Sequence, residues 1–427
     1  MEPTSELRNF IAEAKAMGSL PGLDSIRRLL DRLDNPQEKL SVIHVAGTNG
    51  KGSVCSYLQS ALSLAGYRVG VYTSPAVFDE RERFAVDGLW ISREEYWRQA
   101  ERIRRACLDI RAKGFPQPTI FEVDTALAYL YFLDQHCDLV ITETGMGGAL
   151  DATNAVEKPL CCVFASVGMD HMQMLGSTLE EIAAQKAGII KEGRPVVSTW
   201  QDPAVRSVLT DVAKKKGAEI RFADPGEITE ISGGRIRCGD YELSPALEGT
   251  FQIQNSVLAL HTLLLLRDEG YAISDEVMLE GIHRAYWPGR MERILSRPKV
   301  YLDGAHNLPA ALQLKRTIQK KFTNQRITYI MGVLADKDYD GMLRELLPLA
   351  EDVITVTPQN PRALDAKSLA KAAKRWHDHV TAASGFCEAA GLALRGGSDV
   401  ILAFGSLSYL RDIKSAILKR NEEMSHV

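Results

Sequence analysis

Residues 41–58 read SVIHVAGTNGKGSVCSYL, an apolar strand pattern followed by a glycine-rich loop and the start of a helix. The standard phosphate-binding loop, G-x-x-x-x-G-K-[ST], has its hydroxyl directly after the lysine. Here Gly52 separates Lys51 from Ser53, and the first glycine, at position 47, is closer to the lysine than that pattern requires. Backbone N–H groups, a helix start and a lysine together favour bound phosphate. The alternative is a tight strand-to-helix turn with a solvated lysine.

Strand and helix patterns alternate outward from this loop. The helix after it is expected to end at Gly66. Three further apolar runs are typical of parallel strands that are covered on both faces. They are RVGVYTS (68–74), DLVITE (138–143) and LCCVFASVG (160–168). The pattern changes between Arg221 and Ser244, where short alternating segments and turn glycines predict a small antiparallel appendage.

A second region of strand–helix alternation follows YWPGRMERILSRP (286–298). Its strand patterns are KVYLDG (299–304), ITYIMGVL (327–334), DVITVTP (352–358) and DVILAFG (399–405). The fold class predicted is therefore α/β, in two domains. We expect an N-terminal P-loop NTPase-like domain with a mostly parallel sheet over residues 1–296. A smaller C-terminal Rossmann-like α/β domain would occupy residues 297–427.

Composition excludes several classes of protein. The net charge of −4 over 427 residues does not indicate a nucleic-acid-binding protein. The seven cysteines are scattered without a C-x-x-C pair, which argues against a disulfide framework or a zinc site and fits a reducing compartment. No run approaches the ~18 apolar residues of a membrane helix, and the N-terminus lacks an apolar signal region. We therefore expect a cytoplasmic protein that has no membrane or nucleic-acid partner. A monomer is expected because each domain can bury its own sheet and no coiled-coil heptads appear.

Polar side chains end three of the predicted strands. DLVITE ends in Glu143, RVGVYTS ends in Ser74, and LCCVFASVGMDH ends in Asp170 and His171. Ligands of open parallel sheets bind outside the carboxyl ends of the strands, and a buried carboxylate is costly unless it is used. A carboxylate, a hydroxyl and an imidazole at such ends predict a magnesium site beside the phosphate loop. The alternative for the imidazole alone is a structural histidine.

Lys186 lies on an apolar helix face. Thr178 and Glu181 form a capping-box pattern that starts the helix. Ile182, Lys186 and Ile189 then follow at i, i+4 and i+7, so the lysine is expected to be buried. One alternative is a lysine that extends its charged head into solvent. The other is a neutral amine beside the metal, which can accept carbon dioxide and become a carbamate.

The second region has its own polar candidates. Asp303 and His306 follow the strand in VYLDGAHN, and Arg290 lies in PGRMER on the connector. The arginine is either a surface charge or a group that meets a phosphate. The two histidines of HDH (377–379) lie on a polar helix end and are interpreted as solvated.

Several motifs, taken in order, resemble the Mur ligase superfamily, and within it the folylpolyglutamate and dihydrofolate synthases. They are GTNGKGS (47–53), ETGMGGALDATN (143–154), SVGMDHMQMLGSTLEEIAAQKAGI (166–189), PGRMER (288–293) and DGAHN (303–307). The resemblance runs from about Gly22 to FGSLSYL (404–410). It implies a ligase in which ATP phosphorylates a carboxylate to an acyl phosphate. The amine of L-glutamate then attacks, giving an amide, ADP and phosphate.

The resemblance also implies roles for residues at matching positions. ATP would be bound by Asn49, Gly50, Lys51, Gly52, Ser53, Asn255, Arg290 and Asp303. Mg²⁺ would be bound by Ser74, Glu143 and His171. The catalytic residues would be Lys51, Lys186 as a carbamylated lysine, and His306. The pocket for the folate or dihydropteroate substrate would be lined by Thr119, Ile120, Phe121, Glu122, Leu150 and Asp151.

One departure and two rival functions accompany this resemblance. Leu308 stands where related ligases usually have proline, so the loop after DGAHN is expected to be slightly reshaped. A cell-wall Mur ligase usually carries a separate N-terminal domain, for which a loop starting at Gly47 leaves no room. A nucleotide-dependent switch or kinase without ligase activity would hydrolyse nucleotide regardless of glutamate. That rival explains neither the DGAHN motif nor a buried Lys186.

Overall fold

The computed structural model describes residues 3–18, 20–231 and 234–425. The chain divides into two compact units. The first consists of Met1–Ala246 and Gln254–Tyr286, and the second of Leu247–Ile253 and Trp287–Val427. A domain boundary after residue 296 remains a prediction. Among the described residues, no helix combines the length and apolar character needed to cross a membrane.

The first unit is built on an eight-stranded sheet, which confirms the predicted mostly parallel α/β fold. Its strand order is β4-β3-β2-β5-β1-β6-β7-β8. Strand β3 is antiparallel to both of its neighbours, β2 and β4, and every other pair is parallel. The bounds are β1 (Val42–Ala46), β2 (Val69–Tyr72), β3 (Phe84–Val86), β4 (Leu89–Trp90), β5 (Leu139–Glu143), β6 (Cys161–Phe164), β7 (Val196–Thr199) and β8 (Ile220–Ala223). The central strands are buried along their whole length, as the continuous apolar runs predict.

Ten helices among the described residues pack in and around this unit. They are α1 (Ser5–Ala16), α2 (Asp24–Arg32), α3 (Lys51–Leu64), α4 (Arg93–Ala112), α5 (Ile120–Asp134), α6 (Met172–Leu175), α7 (Leu179–Ala187), α8 (Pro203–Lys215), α9 (Phe251–Asp268) and α10 (Asp275–Arg284). Helix α5 is apolar on nearly every side and buried, so it contributes to the core rather than to the surface. A separate apolar cluster joins β6 and β7 to α7 and α8.

The predicted antiparallel appendage is confirmed in part. A three-stranded antiparallel sheet consists of β9 (Ile228–Glu230), β10 (Ile236–Cys238) and β11 (Tyr241–Leu243). The prediction was wrong for residues 221–223, because β8 belongs to the large sheet and pairs with β7 in parallel. As an edge strand, β8 packs Ile220 and Phe222 against the core and leaves its other face open. This arrangement gives an alternating pattern that resembles an antiparallel strand.

The second unit has a six-stranded sheet in the order β12-β13-β17-β14-β15-β16. The strands are β12 (Glu292–Ser296), β13 (Lys299–Leu302), β14 (Ile327–Met331), β15 (Asp352–Thr355), β16 (Val380–Ala382) and β17 (Val400–Phe404). The helices are α11 (Leu308–Lys321), α12 (Tyr339–Leu346), α13 (Ala366–Ala373), α14 (Phe386–Arg395) and α15 (Leu410–Ser425). The four predicted strands are confirmed. The two edge strands, β12 and β16, were missed because they are partly exposed and lack an apolar run.

Candidate active site

The glycine loop is tied to the segment that follows β6. The backbone N–H groups of Thr48 and Asn49 donate to the carbonyl oxygen of Ser166 at 2.7 and 3.1 Å. The Thr48 hydroxyl donates to the carbonyl oxygen of Gly168 at 3.0 Å and accepts from its N–H at 3.0 Å. Helix α3 then begins directly at Lys51. These hydrogen bonds hold the loop in place. The loop leads into the N-terminal turn of α3, and the N-terminus of a helix favours bound anions.

Gly50 is needed for two reasons at the start of α3. Its φ angle is +89°, in the left-handed region that favours glycine. A Cβ atom added there would lie 2.5 Å from Oδ1 of Asn255, which reaches it from α9. Asn255 is buried. The structure therefore brings together two residues that the resemblance assigned to ATP.

Lys51 and Glu143 form an ion pair beside the loop. Glu143 ends β5, in register with Val45 of β1, and its carboxylate Oε1 lies 3.6 Å from Nζ of Lys51. The two side chains are 13% and 6% exposed, so their charges interact through little solvent. Ser53, the third residue of α3, is also buried. The pair places a cation and an anion where phosphate and metal were predicted.

Lys186 is buried against the same loop. Its Nζ donates to the carbonyl oxygen of Gly47 at 3.0 Å, and the residue is only 4% exposed. Burial and, to a smaller extent, the positive charge of Lys51 lower the pKa of Lys186 to about 7, while Asp170 and Asp151 act in the opposite direction. The burial predicted from the helix pattern is confirmed. A substantial fraction of this amine is neutral near pH 7.

The three predicted magnesium ligands lie at or after the carboxyl ends of three parallel strands in one part of the sheet. Ser74 comes after β2, Glu143 ends β5, and His171 follows β6, in a sheet ordered β2-β5-β1-β6. Because these strands are parallel, their carboxyl ends lie at one edge of the sheet. Nε2 of His171 is 3.8 Å from Oδ2 of Asp170, and the imidazole is 42% exposed. The buried Glu143 carboxylate and the Ser74 hydroxyl are oxygen donors of the kind Mg²⁺ prefers, so these two residues fit that ion. The His171 imidazole would add a nitrogen donor.

The predicted substrate pocket divides into structural and exposed groups. Thr119 and Glu122 form a capping box that starts α5, with the Thr119 N–H donating to Oε2 of Glu122 at 2.7 Å. Asp151 accepts hydrogen bonds from Met146 N–H at 2.8 Å and from the Thr153 hydroxyl at 2.6 Å. These contacts shape the backbone around the predicted pocket.

The remaining pocket candidates offer apolar surface. Leu150 is 50% exposed, and Ile120 is half-buried. The Phe121 ring lies so close to Gly145 that a Cβ there would be 2.5 Å from the ring Cζ. Its centroid is 6.2 Å from that of Tyr72. These residues suit a flat aromatic ligand.

Sequence reasoning missed a buried ion pair near this aromatic group. Nη1 of Arg83 lies 2.5 Å from Oδ2 of Asp124, and the guanidinium carbon is 5.9 Å from the Tyr72 ring centroid. Burial raises the pKa of Asp124 to about 6, although Arg83 opposes the shift. A signal was present, because Asp124 is a charged residue within the mainly apolar helix pattern IFEVDTALAYL.

The second unit gathers its own three predicted residues. Oδ2 of Asp303 accepts from Met291 N–H and Oδ1 from Ala305 N–H, both at 2.9 Å. The Arg290 guanidinium lies against Gly304, since a Cβ there would be 2.0 Å from Nη1. The ring Nδ1 of His306 is 2.7 Å from the carbonyl oxygen of Gly304, so Nδ1 carries the proton in this contact.

The loop after DGAHN leads directly into a helix. Asn307 caps α11, its side chain accepting from Ala310 N–H at 2.9 Å, and Leu308 is the first helical residue. Pro309 therefore lies in the first turn, where a proline is tolerated because its missing N–H has no helical partner.

Comparison with known proteins identifies the class of enzyme. Residues 117–263 match the Mur ligase middle domain, and residues 289–407 match the glutamate ligase domain of Mur ligases. The chain is an ATP-dependent ligase of this superfamily.

The particular family follows from whole-chain relatives. The chain is 37% identical to the dihydrofolate synthase/folylpolyglutamate synthase of Bacillus subtilis, over 96% of this chain and 98% of that protein. It is similar to the crystal structure of Mycobacterium tuberculosis folylpolyglutamate synthase complexed with ADP and AMPPCP (TM-score 0.87, 29% identity, 96% and 99% of the two chains). It is also similar to Escherichia coli FolC in complex with DHPP and ADP (TM-score 0.86, 28% identity, 97% and 98% of the two chains). The chain belongs to the folylpolyglutamate synthase/dihydrofolate synthase family, which favours the ligase over the nucleotide switch.

Proposed function

We propose that this ligase adds L-glutamate to the carboxylate of a folate-type acceptor, either dihydropteroate, a tetrahydrofolate or both. The observation that carries the proposal is the arrangement at the glycine loop, where Lys51, Glu143 and the buried Lys186 surround one phosphate-binding turn. The relatives that cover nearly the whole chain support the same acceptor class.

The reaction begins between two anions, and the chain's cations offset their repulsion. A carboxylate oxygen of the acceptor attacks the γ-phosphorus of ATP, and ADP leaves. Lys51 stabilises the negative charge that develops on the transferred phosphoryl oxygens. Ser74, Glu143 and His171 would hold Mg²⁺, which would supply further neutralisation of the phosphates when bound. The amine of glutamate then attacks the acyl carbon, phosphate leaves, and the amine loses a proton.

We assign the remaining ATP contacts within each unit by itself, on the motifs that the family resemblance supplies. In the first unit, Asn49, Gly50, Ser53 and Asn255 would bind the nucleotide, in keeping with the close approach of Gly50 and Asn255. In the second unit, Arg290 and Asp303 would contact ATP, and His306 would act near the reacting groups. The pairing of Arg290 with the DGAHN turn supports this assignment.

The pocket residues suggest how the acceptor is held. Phe121 and Leu150 present apolar surface to the pterin, while Thr119, Glu122 and Asp151 fix the backbone around it. Glutamate specificity is assigned to the enzyme from its family and not to a particular side chain.

We further propose that Lys186 carries a carbamate. Its neutral amine would attack carbon dioxide, forming an N–C bond and releasing one proton, and the new carboxylate would add an anion beside the metal. Burial and the short contact with Gly47 support a fixed amine at this position. Labelling with ¹³C-bicarbonate should give one carbamate signal by NMR. A Lys186→Ala variant should lose that signal and regain activity with added acetate, whereas a signal that persists would contradict the assignment.

We also propose that the enzyme is a monomer in the cytoplasm. Each unit has its own buried apolar core, and all seven cysteines are free, which suits a reducing compartment. Light scattering on the purified chain should give the mass of one copy, and the mass of two copies would contradict it.

The function is tested by phosphate release from the purified chain with ATP, magnesium and glutamate. Dihydropteroate and tetrahydrofolate are added in separate reactions. Release only with dihydropteroate would define a dihydrofolate synthase, release only with tetrahydrofolate a polyglutamate synthase, and release with both a bifunctional enzyme. Release that ignores glutamate and both pterins would contradict the proposal and favour a nucleotide switch.

A further inference from the structure

Three side chains with metal-binding atoms meet between the small antiparallel sheet and helix α9. Glu227 directly precedes β9, Cys238 ends β10, and His261 lies on α9. Nε2 of His261 is 3.9 Å from Sγ of Cys238 and 3.5 Å from Oε2 of Glu227. One ligand atom from each residue lies within 4.8 Å of the other two. None of the three residues is used by the proposed reaction.

The separations are close to those of a tetrahedral zinc site. Zn–S bonds near 2.3 Å and Zn–N or Zn–O bonds near 2.0–2.1 Å place neighbouring ligand atoms about 3.3–3.6 Å apart. The observed distances of 3.9 and 3.5 Å exceed these by only a few tenths of an ångström. The third pair, Glu227 and Cys238, is no more than 4.8 Å apart. Side-chain rotations that bring these two ligand atoms closer would complete the geometry.

The three side chains become more exposed in the order Cys238, His261 and Glu227. Cys238 is 3% exposed, and the side chains of His261 and Glu227 are 19% and 49% exposed. A cation at this position would have protein on one side and an open path to solvent on the other. Three protein ligands would leave the fourth position for water.

The charges around the cluster are nearly balanced for a divalent cation. Burial lowers the pKa of His261, so its imidazole is neutral at pH 7 and can donate a lone pair. Arg221 adds a positive charge near the histidine. That charge is already offset by Glu219 at 2.8 Å and Asp268 at 3.1 Å. A Cys238 thiolate and the Glu227 carboxylate would together balance the two charges of the metal.

We propose that Glu227, Cys238 and His261 bind one Zn²⁺ ion, which links the small sheet to helix α9. A set of donors that includes a thiolate suits zinc, whereas Mg²⁺ is a hard cation that a thiolate does not suit. On binding, the Cys238 thiol forms an S–Zn bond and releases its proton to solvent. The sequence argument against zinc rested on the lack of a C-x-x-C pair. It missed this site because the three ligands come from separate elements.

Cobalt tests the thiolate ligand directly. Metal-free full-length protein, without nucleotide, is titrated with Co²⁺ and then with Zn²⁺. One equivalent of Co²⁺ should give a near-ultraviolet thiolate-to-cobalt band that Zn²⁺ removes. Cys238→Ser should abolish the band, and Cys387→Ser, which changes an exposed cysteine, should leave it intact. A band that survives Cys238→Ser, or no band in the folded wild type, would overturn the proposal.

A second pair of variants separates metal binding from folding. Glu227→Gln alters a half-exposed side chain, and His261→Gln keeps a side chain of similar size. Each should weaken Zn²⁺ affinity about tenfold or more in competition with a chelating dye. The melting temperature of metal-free Glu227→Gln should match that of the wild type. If neither variant changed the Zn²⁺ affinity, the proposal would be wrong, and Glu227 and His261 would form an ordinary ion pair beside a buried thiol.

Discussion

The two units hold their charged candidate residues in different ways. In the first unit, Lys51 and Glu143 are 3.6 Å apart, a separation that leaves the lysine able to turn toward a phosphate. In the second unit, both carboxylate oxygens of Asp303 accept backbone N–H groups at 2.9 Å. The difference teaches that residues assigned to one nucleotide can serve by different means. Under the proposed roles, Lys51 would act on the phosphate directly, and Asp303 would shape the turn that presents its neighbours.

The largest expected effect comes from removing the cation of the first unit. Lys51→Ala should lower kcat/KM about 10²–10³-fold, because the charge that stabilises the transferred phosphoryl group is lost. The variant should remain folded, with a lower melting temperature because the buried Glu143 carboxylate loses its cationic partner. The matched control is Lys113→Ala, which changes an exposed lysine at the end of α4 and should leave turnover unaltered. Near-normal phosphate release by folded Lys51→Ala would remove the phosphate role from this residue.

The next effect should fall on stability in the second unit. Asp303→Ala leaves the Met291 and Ala305 N–H groups without their acceptor and should cost about 2–4 kcal/mol of local stability. Hydrogen exchange at those two amides measures the loss. Asp303→Asn keeps one acceptor oxygen and should retain part of the protection. If Asp303→Ala lowered only activity and left exchange at both amides unchanged, the contrast between the two units would be wrong.

A smaller effect is expected from the glycine loop itself. Gly50→Ala introduces a strained φ and a contact with Asn255, and should cost about 1–3 kcal/mol while raising the KM for ATP. Gly66→Ala is a close control, since its φ of +91° is similar but a Cβ there meets nothing within 4 Å. The comparison measures the contact separately from the backbone strain. If Gly50→Ala and Gly66→Ala changed the KM for ATP equally, the contact between position 50 and Asn255 would not contribute to ATP binding.

The smallest effect is a pH dependence of stability. Because burial lowers the pKa of Lys186 to about 7, the unfolded chain binds more protons than the folded chain above that pH. Stability from this group should therefore rise as the pH increases from about 7 toward the ordinary lysine value, by at most about 1.4 kcal/mol per unit. The test is urea unfolding in buffer free of carbon dioxide. Lys186→Met should lack this slope, and identical slopes would contradict the burial argument.

The sequence predicted those parts of the site that depend on local pattern. The glycine loop, the capping box at Thr178 and the polar ends of β5 and β13 all lie within a few residues of a recognisable strand or helix signal. Burial of Lys186 followed from helix periodicity for the same reason.

Features that depend on distant contacts could not be predicted in this way. Arg83 and Asp124 form an ion pair although 41 positions separate them in the sequence. Glu227, Cys238 and His261 likewise come from three separate parts of the chain. One local feature was missed as well. Thr119 and Glu122 form a capping box at the start of α5, the same sequence pattern that located the start of α7. The edge strands escaped because half-exposed strands carry no continuous apolar run.

The most direct test of the account follows an oxygen atom from acceptor to phosphate. The acceptor is prepared with ¹⁸O in its carboxylate and incubated with the purified enzyme, ATP, magnesium and glutamate. Transfer through an acyl phosphate predicts that each phosphate released with an amide carries one ¹⁸O atom, seen by mass spectrometry. Amide formation with unlabelled phosphate, or phosphate release without any amide, would contradict the ligase mechanism proposed for this chain.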